Sequence, residues 1–147
     1  MLFRSPTLIL EREVLKAKLQ VPTLVTGWAD LPANSFSHPA YQAMRGAIEA
    51  SAKLDSIENE DLKSLFTELS VEPIRSDGEV SDKYVESIVA RLHEVALSRT
   101  IADAKSKLQR VNPSDGEYEA LFTELVTLES QRRILDRKST RLNSSHT

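Results

Sequence analysis

The three imidazoles of the chain, His38, His93 and His146, stand far apart, with no HExxH or comparable ligand spacing among them. A histidine-held metal is therefore not expected. Cysteine is absent, which removes disulfides, thiolate metal sites and Cys nucleophiles together. The acidic run "ENED" (58–61) could hold a cation or supply a pair of carboxylates. Acids at a helix start already have a sufficient electrostatic reason, because the N-terminal end of the helix dipole favours them. The segment "SDGEVSD" (76–82) carries too few oxygen ligands at the spacing of a calcium loop. Gly27, Gly46, Gly78 and Gly116 stand singly, so no GxGxxG or Walker-type cradle for phosphate is formed. No catalytic residue, cofactor or metal is assigned. What remains to carry function is a surface.

The elements that would present such a surface read as helices. Glycine is scarce, alternating β-branched runs are few, and Ala, Leu, Glu, Lys and Arg dominate, all of which favours an all-α fold. "PTLILEREVLKAKLQ" offers Leu10, Val14 and Ala17 as a helical stripe with Leu15 and Leu19 beside it. "PTLVTGWADL" is expected to form a short second helix ending at Pro32. "SHPAYQAMRGAIEA" has Ser37 or His38 as cap and Pro39 in the first turn, where a missing N–H costs nothing. "ENEDLKSLFTELS" sets Leu62, Leu65, Phe66 and Leu69 on one face. A loop of Pro, Gly and Asp follows, and Ser81 caps a long helix.

That long helix changes the side it buries. Val85, Ile88, Leu92, Val95 and Ala96 share one stripe, while Leu97, Ile101, Ala104, Leu108 and Val111 form a second, turned from the first by roughly 140° at 100° per residue. The second stripe steps by 4, 3, 4, 3, the spacing of a heptad seam. Two nearly opposed buried sides require two different covering bodies. The second body comes next. After Asn112-Pro113, Ser114 and Glu117 stand in capping-box spacing, and Tyr118, Leu121, Leu125, Leu128 and Leu135 again step by three and four, with Arg132 filling the gap. So short a connection forces the two helices antiparallel. The expected architecture is a helical bundle (7–96) joined by a long shared helix to an antiparallel two-helix hairpin (97–137). Phe122, Val126 and Ile134 lie beside the seam with no third helix to cover them, the kind of surface that marks a partner site.

Charge and the chain ends bound the rest. A net charge of −3, with both signs interspersed, argues against strong direct binding of nucleic acid, which needs a basic face. No stretch approaches a membrane span, and the apolar run in "MLFRSPTLILEREV" is too short for a signal peptide, so a soluble cytoplasmic chain is expected. The tail "KSTRLNSSHT" (138–147) has one apolar residue and no periodicity. It reads as a disordered or vector-derived segment and is left out of the fold, His146 with it; "MLFRS" could share that origin.

Two segments resemble a known family. "LPANSFSHPAYQAMRGAI" (31–48) and "YVESIVARLHEVALSRTIADAKSKLQRVNP" (84–113) are similar to the C-terminal region of bacterial DNA primases of the DnaG type, and "EYEALFTELVTLESQRR" (117–133) continues the likeness. It covers nearly all of residues 8–137. The resemblance implies a non-catalytic domain that docks primase onto the N-terminal domains of the hexameric DnaB-type helicase during primer synthesis. In some members it also implies binding of the acidic tail of single-strand DNA-binding protein. The zinc-binding module and the polymerase core that precede this region in a full primase are not in the sequence, so the fragment is not expected to make primers. SFSHPAYQAMRGAI is shared with the N-terminal domain of DnaB-type helicases, which makes that ring-forming domain the alternative; a small helical carboxylate enzyme is a second. By position on the hairpin, Arg110, Val111, Tyr118, Leu121 and Phe122 are the expected partner-binding residues, the apolar ones at the centre and charged neighbours at the rim.

Overall fold

The computed structural model describes the backbone of residues 5–32, 34–50, 53–76 and 79–144, with side chains as far as Arg137. Among the described residues every regular element is helical: α1 (Pro6–Gln20), α2 (Pro39–Glu49), α3 (Glu60–Val71), α4 (Asp82–Arg110) and α5 (Gly116–Ser144). Single 3-10 turns lie at Pro22–Leu24, Trp28–Asp30 and Leu54–Ser56. These elements fall into two compact units, Met1–Leu92 and His93–Thr147. The division lies inside α4, one turn before the change of apolar stripe at Leu97. No described helix is long and apolar enough to cross a membrane.

Local chemistry sets the helix starts. Ser5 Oγ accepts the Leu8 N–H at 3.1 Å, with Pro6 as the first helical residue. His38 Nδ1 accepts the Ala40 N–H at 3.1 Å ahead of α2, so His38 acts as a cap. Asn59 Oδ1 accepts from Leu62 at 3.0 Å and Ser81 Oγ from Tyr84 at 3.1 Å. Caps of this kind each contribute about 1 kcal/mol. One expected helix is not there. Residues 22–32 form two separate 3-10 turns, because Gly27 between them takes φ +82°, a left-handed conformation that ends a helix rather than continuing it. At the other end of the chain, α5 runs on to Ser144, past Arg137 where the apolar pattern stops; residues 138–144 contain neither Pro nor Gly to break it. His146 lies outside the described residues, as do Asp77 and Gly78 of the 76–82 loop.

In unit 1, α1 packs against α2 and α3, and α2 against α3. The core joins Val14, Leu15 and Ala17 of α1 to Met44 of α2, Leu69 of α3, and Val85, Ile88 and Leu92 of α4. Each such Val, Leu or Met contributes roughly 1.5–3 kcal/mol by leaving water. Yet α1 is not simply amphipathic. Every residue from Glu13 to Ala17 is buried, and so is Glu11. A helix surrounded in this way must satisfy its charges internally.

It does so by tying down the ends of its neighbours. The Glu11 carboxylate accepts the N–H groups of Ser37 (2.9 Å) and His38 (3.3 Å) and the Ser37 hydroxyl (2.6 Å) at the entrance to α2. Glu13 accepts the Arg75 N–H at 3.1 Å, the Tyr84 hydroxyl at 3.0 Å and the Lys16 ammonium at 2.6 Å. Lys16, 1% exposed, also donates to Glu72 at 3.2 Å and to the Pro73 carbonyl at 2.9 Å. Arg12 forks onto the Glu72 carboxylate and reaches Glu68 and the Tyr41 hydroxyl, each at 3.3 Å. The Gln20 amide donates to the Leu69 and Glu72 carbonyls, two of the acceptors that the end of α3 leaves without helical partners. The Arg12 hydrogen bonds, helped by Lys16 and against the cost of burial, hold the Glu72 carboxyl down at about 2, and the same contact raises Arg12 above its ordinary value. Burial first, then the charge and hydrogen bond of Glu13, push Tyr84 up to about 12.

Candidate partner-binding surface

Unit 2 is built around the second stripe of α4. Leu97, Ile101 and Ala104 are buried, and Leu108 and Val111 are half-buried. On α5, Tyr118, Leu121, Leu125, Leu128 and Leu135 are all half-buried while Arg132 is exposed. This is the expected seam, with the expected gap. Lys105 of α4 pairs with Glu129 of α5 at 3.6 Å, a contact between helices that run in opposite directions away from a short turn.

Hydrogen bonds among its own residues hold the turn. Asn112 Oδ1 accepts from the Ser114 N–H at 3.0 Å and the Ser114 hydroxyl at 2.8 Å. The Val111 N–H donates to the Leu108 carbonyl at 3.3 Å, tightening the end of α4. Asp115, not Ser114, ends the turn and leads into α5: its carboxylate accepts the Glu117 N–H at 3.1 Å and its carbonyl the Tyr118 N–H at 3.0 Å. The sequence reading misplaced this start by one residue, because Ser and Asp are comparable caps and the Ser114 hydroxyl is occupied by Asn112.

All five expected surface residues belong to this end of unit 2. Arg110 and Phe122 are exposed; Val111, Tyr118 and Leu121 are half-buried. Tyr118 and Phe122, one helical turn apart, stack their rings at 6.5 Å with planes 15° apart. Leu121 belongs to the seam, so its part in any surface is to support its neighbours. Phe122 is 50% exposed, Val126 49% and Ile134 57%, apolar area of the kind that a soluble chain keeps for contact. A stacked aromatic pair with charged residues around it suits the buried centre of an interface.

Among the described residues, no group of three His, Cys, Asp or Glu side chains is placed to hold a metal ion. Glu60 and Asp61 of the acidic run occupy the first turn of α3 behind the Asn59 cap. One cluster in unit 1 was not foreseen. Lys18 Nζ lies 5.3 Å and Arg45 Cζ 5.8 Å from the Trp28 ring centre, and Arg45 lies 5.9 Å from Phe36 as well. Helical periodicity carries no signal for it, because Trp28 sits in a 3-10 turn.

Comparison with known proteins adds an independent line. The sequence profile described as DNA primase DnaG DnaB-binding matches residues 11–122. The chain is 40% identical over 149 residues to the DNA primase of Mycobacterium leprae (strain TN), 41% to that of Mycobacterium tuberculosis (strain ATCC 25618 / H37Rv), and 42% to that of Mycolicibacterium smegmatis (strain ATCC 700084 / mc(2)155). These matches take in 89–90% of this chain but 23% of each primase, so the chain spans under a quarter of the length of those relatives. The solved helicase binding domain of primase from Mycobacterium tuberculosis superposes with a TM-score of 0.67 at 37% identity, covering 90% of this chain and 92% of that one.

Proposed function

The chain belongs to the DnaB-binding family of DNA primase DnaG, and from that premise we propose that it is a non-catalytic adaptor that docks primase onto the N-terminal domain of the replicative DnaB-type helicase. Such docking would bring primer synthesis to the helicase in the cytoplasm. The observation that carries this reading is the stacked pair of half-buried Tyr118 and exposed Phe122 beside the turn of unit 2. Two aromatic rings give a large apolar contact at low cost in side-chain entropy. Arg110 is the charged rim, Val111 widens the apolar centre, and Leu121 fixes the height of the rings above the seam.

A pull-down and calorimetric titration of Phe122→Asp against the cognate helicase tests this. Binding should weaken at least tenfold while thermal unfolding stays within about 0.5 kcal/mol of the parent, as expected for an exposed position. Equal losses of binding and stability would instead make Phe122 part of the packing and defeat the docking reading. A second partner, the acidic tail of single-strand DNA-binding protein, is favoured by Lys18 over the Trp28 ring in unit 1, with Arg45, held by Glu49 and the Leu31 and Pro32 carbonyls, backing the ring. Since that seat is in the other unit, the same Phe122→Asp variant should keep its affinity for a peptide of the tail.

A further inference from the structure

We propose that the outer face of α5 pairs with the same face of a second copy of this chain, antiparallel and across a two-fold axis near Val126.

At 100° per residue, Glu119, Phe122, Val126, Arg133 and Arg137 fall within an arc of about 60°, away from the Leu121–Leu125–Leu128 seam. All five are exposed. The face is apolar in its middle and opposite in charge at its two ends. On the face itself the acid is Glu119, near one end, and the bases are Arg133 and Arg137, toward the other. Asp136 is the one acid between Gln131 and Arg137, and it lies about 40° outside the arc.

The helix dipole does not account for the arginines. It acts within the last turn, and α5 ends at Ser144, about three turns beyond Arg133. Nor does Glu129, the acid one turn before Arg133, serve as its partner, since it is turned toward Lys105 of α4 at 3.6 Å.

A two-fold does account for the pattern. Glu119 and Arg133 each lie seven residues from Val126, about 10.5 Å along the axis on either side. Antiparallel pairing sets each Glu119 level with the other copy's Arg133, twice over, with Phe122 and Val126 of both copies between them. Parallel pairing would set acid on acid and base on base. A face that complements itself only after a half-turn is the signature of an isologous contact. Its apolar centre is small, well under the ~1,200 Å² of a tight interface, so the pair is weak, concentration-dependent and sensitive to salt.

Sedimentation of the full chain from micromolar to millimolar concentration, at low and high salt, reads this directly. A monomer–dimer equilibrium weakened by salt is expected. Arg133→Glu should weaken it at least tenfold, Glu119→Arg should do the same, and the double exchange should restore it, with helicity by circular dichroism unchanged throughout. A chain monomeric over the whole range, a dimer indifferent to Arg133→Glu, or a double exchange that restores nothing would each overturn the proposal.

Discussion

Glu13 and Glu129 are both glutamates paired with a lysine, one in each unit, and their surroundings differ sharply. The Glu13–Lys16 pair is buried in α1, and both partners make further hydrogen bonds to Arg75, Tyr84, Glu72 and Pro73. The Glu129–Lys105 pair has side chains 42% and 56% exposed and sits beside a seam whose fully buried members are Leu97, Ile101 and Ala104. Unit 1 therefore specifies its arrangement through charges that have nowhere else to go. Unit 2 does so mainly through apolar spacing, with the Lys105–Glu129 pair largely in solvent. Polar interiors are exacting and break badly; an apolar seam tolerates change at its margins.

Three perturbations would break or sharpen that contrast. The largest effect is expected from Glu13→Ala, which leaves Lys16 with a buried charge it can only partly neutralise through Glu72 and strips the Tyr84 hydroxyl of its acceptor. Unit 1 should lose about 3–5 kcal/mol. Urea unfolding followed by fluorescence would measure this, since Trp28 of unit 1 is the single tryptophan. A loss under about 1 kcal/mol would mean that the buried pair specifies nothing.

Acid should separate the units next. The Glu72 carboxyl is held at about 2 against an ordinary 4.5. A depressed carboxyl stabilises the fold above its unfolded value and ceases to do so as pH falls through its folded value. Between about pH 5 and 2, unit 1 should lose up to about 3 kcal/mol from this group, and Glu72→Gln should flatten that part of the profile. An unchanged slope in the variant would show that other carboxylates govern acid unfolding.

The smallest effect is expected from Lys105→Ala. Exposed ion pairs contribute well under 1 kcal/mol, so the melting curve should move by no more than about 0.5 kcal/mol. A larger shift would show that unit 2 leans on charge after all.

How much of this was legible beforehand follows the same divide. Unit 2 was readable in detail: the spacing of Tyr118, Leu121, Leu125, Leu128 and Leu135 identified the seam, and the apolar residues left over, Phe122, Val126 and Ile134, are the exposed ones. Periodic burial of hydrocarbon leaves a periodic trace. Unit 1 was readable only in outline. Glu11, Glu13 and Lys16 look like the solvated face of α1, and nothing in their types or spacing says that they are enclosed. Their partners, Ser37, Glu72, Arg75 and Tyr84, lie 26 to 71 residues away, beyond the reach of any local pattern. The 22–32 stretch failed for a different reason: its apolar residues suit a helix, and the left-handed Gly27 overrules them. The five residues proposed to meet a partner could be placed at one end of the hairpin by spacing alone, whereas the Lys18–Trp28–Arg45 cluster depends on a fold that periodicity does not describe.

Glu11 closes the entrance of α2 from 26 residues upstream. Without that carboxylate, the amides of Ser37 and His38 would have only water to bind. Once the carboxylate arrives, two segments are latched in one event, and neither can loosen alone without exposing the other's unmet needs. One side chain thereby makes the seat of α1 and the start of α2 a single cooperative joint.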